Sequence, residues 1–109
     1  MSHYHNPQEK EHRDIAPGVH ARPFWGGELM LVVVDLDPYA EVPPHCHPHE
    51  QAGTVLEGEI EFTIAGQQKL LHAGDLYFIP SEVEHSASTG KLGARVIDVF
   101  TPLREDFIE

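Results

Sequence analysis

The chain has 109 residues, enough for one domain whose hydrophobic core needs neither disulfides nor a metal to hold it together. With 7 basic and 18 acidic side chains its net charge is −11, which argues against nucleic acid as a partner and for a self-repelling surface. Cys46 is the single cysteine, excluding an intramolecular disulfide, and no apolar run is long enough for a signal peptide or a membrane span, so a cytoplasmic protein with no membrane partner is expected.

In chain order, "MSHYHNPQEKEHRDIAPG" (1–18) is polar and lacks apolar periodicity, and it reads as a flexible arm in which His3, His5 and His12 are solvated. The domain proper is expected over 19–109. From Val19 short apolar runs alternate with turn signals: 28–37, 51–58, 59–66, 68–74, 75–80, 85–90 and 94–101. "LMLVVV" is apolar throughout, as a strand buried on both faces would be. In "EIEFTI" the apolar residues Ile60, Phe62 and Ile64 fall at every second position, the mark of a strand with one face in a core. Gly58, Gly66, Gly74, Gly90 and Gly93 separate the runs, where hairpins and tight turns are expected. No long amphipathic helix is evident. Many short strands with glycine punctuation predict an all-β sandwich or small barrel, and a double-sheet jelly roll fits their number. The closing "PLREDFIE" is expected to cover a sheet edge or to cross to a second subunit.

The stretch "PPHCHPHEQAGTVLEG" concentrates ligand-type side chains. His45 and His47 are two apart, so on an extended chain both imidazoles face one way and can share an ion. Gln51 has the same parity. His85 follows a proline-containing turn, and antiparallel pairing can bring it opposite the first group. Three imidazoles and one amide oxygen suit a divalent transition metal, with Zn, Fe, Ni, Mn and Co all admissible. His49 shares the parity, but Pro48 should turn it away. Cys46 should point into packing. His72 is expected to be structural or exposed. Phe24, Trp25, Tyr77 and Phe78 are expected as core or pocket wall, with Glu50 and Glu82 lining the entrance or simply solvated.

These residues carry a resemblance. "HCHPHEQAGTVLEG" resembles the first cupin motif, H-x-H-x3-(E/Q)-x6-G, at His45, His47, Gln51 and Gly58; "GDLYFIPSEVEH" resembles the second, G-x5-P-x-(G)-x2-H, at Gly74, Pro80 and His85. Gln51 stands where glutamate is usual, and Glu82 where glycine is common. "IDVFTPLREDF" with "HPHEQ" is further similar to the small cupins of the pectin-degradation KdgF group, from about Val19 to the end of the chain. The resemblance implies a double-stranded β-helix, the cupin jelly roll, with metal ligands His45, His47, Gln51 and His85. It implies active-site roles for Asp98, Phe100 and Arg104, and a homodimer. It also implies the reaction of that group: linearisation of Δ4,5-unsaturated uronates from pectin or alginate breakdown to 5-keto-4-deoxyuronate, with a small anionic sugar as substrate.

The residues themselves bear on this. Period-two alternation in "RVIDVF" puts Val96, Asp98 and Phe100 on one face and Ile97 and Val99 on the other; both faces otherwise read as buried, so an inward carboxylate at Asp98 is costly without a partner or a task. Its bland alternative is an outward acid or one paired with arginine. Arg104 has the planar fork that binds a substrate carboxylate, or it pairs at the surface with Glu105 or Asp106. Two other classes of function are compatible with the ligand set: an Fe- or Mn-dependent dioxygenase, and a non-catalytic metal- or sugar-binding cupin.

Overall fold

The computed structural model describes residues 2–108. Its eight strands are β1 (Arg13–Ala16), β2 (Val19–Trp25), β3 (Met30–Leu36), β4 (Glu41–His45), β5 (Glu50–Ile64), β6 (Gln67–His72), β7 (Leu76–Ile79) and β8 (His85–Thr101). All pairings are antiparallel, in the order β1-β2-β3-β8-β5-β6, with β4 also on β8 and β7 also on β5. Short 3-10 turns occupy Pro7–Glu9 and Glu105–Phe107, and among the described residues no helix is long and apolar enough to cross a membrane.

Two strands make the roll. β5 pairs with β7 through 51–54 and with β6 through 59–64; β8 pairs with β4 near its start and with β3 through 94–100. Each therefore changes partners partway along its length. The corner is built from glycine. Gly58 has φ 79°, and a Cβ there would lie 2.2 Å from the carbonyl oxygen of Gly93, which itself has φ 65°. The β5–β8 register shifts on both sides of this point, between Val55 and Glu57 and between Gly58 and Ile60, so the strands bend instead of ending. This corrects the sequence expectation: 51–58 and 59–66 form one strand, as do 85–90 and 94–101. Gly58, Gly90 and Gly93 are not hairpin turns.

The period-two pattern of "EIEFTI" holds, with Ile60 and Phe62 buried and Ile64 partly buried against the core. Val32, Val34 and Leu36 of β3 and Val96 and Phe100 of β8 complete the interior from the facing strands. β3 departs from expectation at Leu31, which is half exposed, whereas Val33 is buried on the same outer face. The segment expected to be a flexible arm carries β1, which pairs with β2 through Arg13↔Ala21 and Asp14↔His20. At the other end Phe107 is buried against Phe100, with ring centroids 5.9 Å apart, so the C-terminal segment closes over its own barrel.

Candidate metal centre and its rim

His45, the last residue of β4, is the register partner of His85, the first residue of β8. His47 comes from the loop that follows. The ring centroids of His45 and His85 are 4.2 Å apart, and those of His47 and His85 4.9 Å, with one potential ligand atom from each histidine within 4.8 Å of the others. Each Nδ1 lies against a backbone carbonyl: His45 on Pro43 at 2.9 Å, His47 on His49 at 3.0 Å and His85 on Val83 at 2.8 Å. A carbonyl only accepts, so each Nδ1 carries a hydrogen, and a neutral ring then has its lone pair on Nε2. Burial holds His47 and His85 below the ordinary imidazole range, and the charge of Arg104 acts in the same direction. Both are neutral at pH 7.

This donor set fits a cation. His85 Nε2 is buried with no hydrogen-bond partner, which costs free energy in a protein interior unless something binds there. The Gln51 side-chain oxygen sits 3.2 Å from His47 Nε2, two acceptors aimed at one place. The structure thus brings together all four residues singled out from sequence.

The rim is set by β8. Asp98 is 9% exposed and faces inward with Val96 and Phe100, which rules out the outward-facing alternative. Burial pushes its carboxyl above the usual carboxylate range, against the opposing effects of hydrogen bonds from Tyr77 and Gln51 and the charge of Arg104. The Tyr77 hydroxyl donates to Asp98 Oδ1 at 2.5 Å. Burial, then the neighbouring Asp98 charge, pushes the Tyr77 phenol far up, so it stays a donor. Gly53 lies between them, paired with Tyr77 on one side and Asp98 on the other. A Cβ at Gly53 would sit 2.3 Å from the Tyr77 oxygen, so only glycine lets the phenol cross the sheet. Sequence reading had Tyr77 only as core or wall; the available signal was a glycine inside a strand, in "QAGTV".

Phe100 packs edge-on to His47 at 5.7 Å, and the Arg104 guanidinium lies over the rings of Phe100 (5.1 Å) and Phe107 (4.1 Å). Of the two alternatives for Arg104, the structure shows the pairing with Asp106, at 2.9 Å. Arg104 also lines the same cavity as His45, Gln51, His85, Asp98 and Phe100. Below this polar rim the cavity walls are apolar, including Leu36, Val42, Phe62 and Val96, with Ile15 of β1 joining them.

Other expectations meet mixed outcomes. His49 is outside the histidine group and contributes its carbonyl to His47. Cys46 is exposed rather than packed, and so are Glu50, Glu82 and His72. Trp25 and Phe78 are exposed and do not line the histidine cavity, correcting their placement as core or as its wall. Glu82 has φ 64°, which explains why glycine suits that position, and its N–H donates to the His47 carbonyl at 2.8 Å, tying the second motif to the first.

The profile of the cupin domain matches residues 32–100. The pectin degradation protein KdgF of Dickeya dadantii is 30% identical over 110 residues, 99% of this chain and 100% of that protein. The transcriptional regulator PuuR of Escherichia coli is 47% identical over 57 residues, 51% of this chain but 31% of the regulator. Among solved structures, an RmlC-like cupin from Shewanella frigidimarina superposes with TM-score 0.91 at 37% identity, covering 98% of this chain and 96% of that one. KdgF from a Halomonas species superposes with TM-score 0.89 at 30% identity, covering 97% and 98%.

Proposed function

The chain belongs to the cupin family, and from that premise we propose that it opens the ring of Δ4,5-unsaturated uronates, giving 5-keto-4-deoxyuronate. The observation that carries the reading is Asp98: a buried carboxylate, held by Tyr77 and Gln51, on the wall of the cavity that the histidines line. Full-length similarity to a protein named for pectin degradation, and to the structure of a second KdgF, supports the substrate class.

The substrate is a cyclic hemiacetal whose ring oxygen is also an enol-ether oxygen. Asp98 accepts the proton of the anomeric hydroxyl. The C1–O bond of the ring then breaks, C1 becomes an aldehyde and the ring oxygen leaves as an enolate on C5. Asp98 returns the proton to C4, and the C5 ketone results. One proton moves from oxygen to carbon, with no oxidant or reductant. A carboxyl whose protonated form is favoured by burial suits the carrier role, worth about 10²–10⁴-fold. Arg104 binds the substrate carboxylate through its fork, which gives an acidic protein a positive pocket, and Phe100 forms a wall against the ring. A divalent transition ion held by His45, His47, Gln51 and His85 would supply Lewis-acid stabilisation of the negative charge on oxygen.

The test is the loss of ultraviolet absorbance from the C4=C5 bond when metal-loaded protein meets lyase-generated unsaturated galacturonate. Chelator-treated protein is the comparison. We expect metal-dependent loss above the spontaneous rate, and its abolition in Asp98→Ala with metal content unchanged. Full activity in Asp98→Ala would remove the assignment of the carrier. A second reading, a ligand-binding cupin without turnover, draws on the similarity to PuuR over 57 residues. Saturable uronate binding with no acceleration would select it.

A further inference from the structure

A second group of ligand-type side chains lies outside the cavity, on the strand pair β1–β2 and the residue just before β1. His12 and Asp14 are two apart, and Asp14 is the register partner of His20. His45 and His47, with His85 opposite His45, repeat the same geometry: two ligands at i and i+2 on one segment and a third directly across an antiparallel pair. Asp14 Oδ1 is 3.1 Å from His12 Nδ1 and 2.6 Å from His20 Nδ1, and the three ligand atoms lie within 4.8 Å of one another. The two imidazoles meet edge to face, with centroids 4.6 Å apart.

His20 is oriented from behind. Its Nε2 lies 3.2 Å from both carboxylate oxygens of Asp37, in the turn after β3. With Nε2–H held by Asp37, a cation would take the place of the proton that His20 Nδ1 donates to Asp14 at 2.6 Å. A carboxylate behind a histidine is the arrangement that fixes the tautomer of a metal ligand and raises its basicity.

We propose that His12, Asp14 and His20 form a second cation site, for a borderline divalent ion of the zinc class, with Asp37 as the orienting carboxylate. Two imidazoles and a carboxylate are a zinc-type donor set, and the exposure of His12 and Asp14 leaves a coordination position for water. The ion would pin β1 to β2. Because Ile15 of β1 lines the cavity, and β1 borders the cleft beside His45 and Arg104, the pinned strand is a wall of the mouth.

The experiment is a zinc titration of metal-depleted full-length protein by calorimetry at pH 7.5, with His3 and His5 retained throughout. The wild type should bind two equivalents. His12→Gln/His20→Gln should bind one, and His47→Gln/His85→Gln should keep the other. In that last variant zinc should still slow amide exchange across Arg13–Ala16. The single His12→Gln variant changes only an exposed side chain, so it should keep the fold while weakening this binding event at least tenfold. An ion cluster held by protons alone predicts the opposite: one equivalent in the wild type, unchanged zinc binding in both His12 variants, and no protection of β1. That result would overturn the site while leaving the cavity reading untouched.

Discussion

The Tyr77 hydroxyl reaches Asp98 across a strand because the residue between them is Gly53. Removing the hydroxyl in Tyr77→Phe takes one donor from a buried carboxylate, a loss of roughly 1.5–3 kcal/mol for a hydrogen bond to a charged group. Turnover should fall by about the corresponding tenfold or more with little change in KM. Gly53→Ala should lower turnover too, since its Cβ would occupy the place of the phenol oxygen, and overpacking should cost about 1–3 kcal/mol in urea unfolding. Wild-type kcat in both variants would separate Tyr77 from the chemistry.

Asp106 competes with any substrate carboxylate for Arg104. It contacts the guanidinium at 2.9 Å and is itself largely exposed, so the pair is worth only about 0.2–1 kcal/mol after solvent screening. Asp106→Asn should therefore lower KM for an unsaturated uronate by up to ~5-fold and leave kcat unchanged. A raised KM would mean that Asp106 instead holds Arg104 in its binding position.

Glu82 adopts φ 64°, a conformation that costs an ordinary residue about 1–2 kcal/mol relative to glycine. Its N–H bond to the His47 carbonyl is made by backbone and survives substitution. Glu82→Gly should raise stability by up to ~1 kcal/mol, the gain being reduced by the greater freedom of glycine in the unfolded chain. Urea midpoints of the two proteins check this, and a clear loss would assign the Glu82 side chain a stabilising contact.

The His20 cluster makes stability depend on pH when chelator keeps metal away. Hydrogen bonding to Asp14, with help from Asp37, raises the His20 pKa above its ordinary 6.5 despite partial burial. A raised folded-state pKa contributes stability that is complete below 6.5 and is lost as pH rises through the folded value. Asp14 is shifted down by the same partner, so its contribution is present above 3.8 and is lost as pH falls through its folded value. His20→Gln should thus cost more stability at pH 6 than at pH 8.5. Equal costs at both would remove the charged imidazole from the account.

Much of the site was legible because it is local. Parity along an extended chain put His45, His47 and Gln51 on one face and grouped Asp98 with Val96 and Phe100, and both follow from a side-chain period of two. The histidine after the second motif needed only a pairing register to join them, and β4–β8 provides it.

What the sequence by itself determined is the all-β class, the ligand-type side chains grouped at 45–51 and the inward face of "EIEFTI", since all depend on neighbours a few residues apart. Only the tertiary structure decided that β5 and β8 run unbroken through the Gly58–Gly93 corner, that "HRDIA" becomes strand β1, and that Tyr77 meets Asp98 over Gly53. Each depends on which residues from distant parts of the chain stand side by side, and for β5 and β8 the register shifts on either side of Gly58 mark where the strands bend.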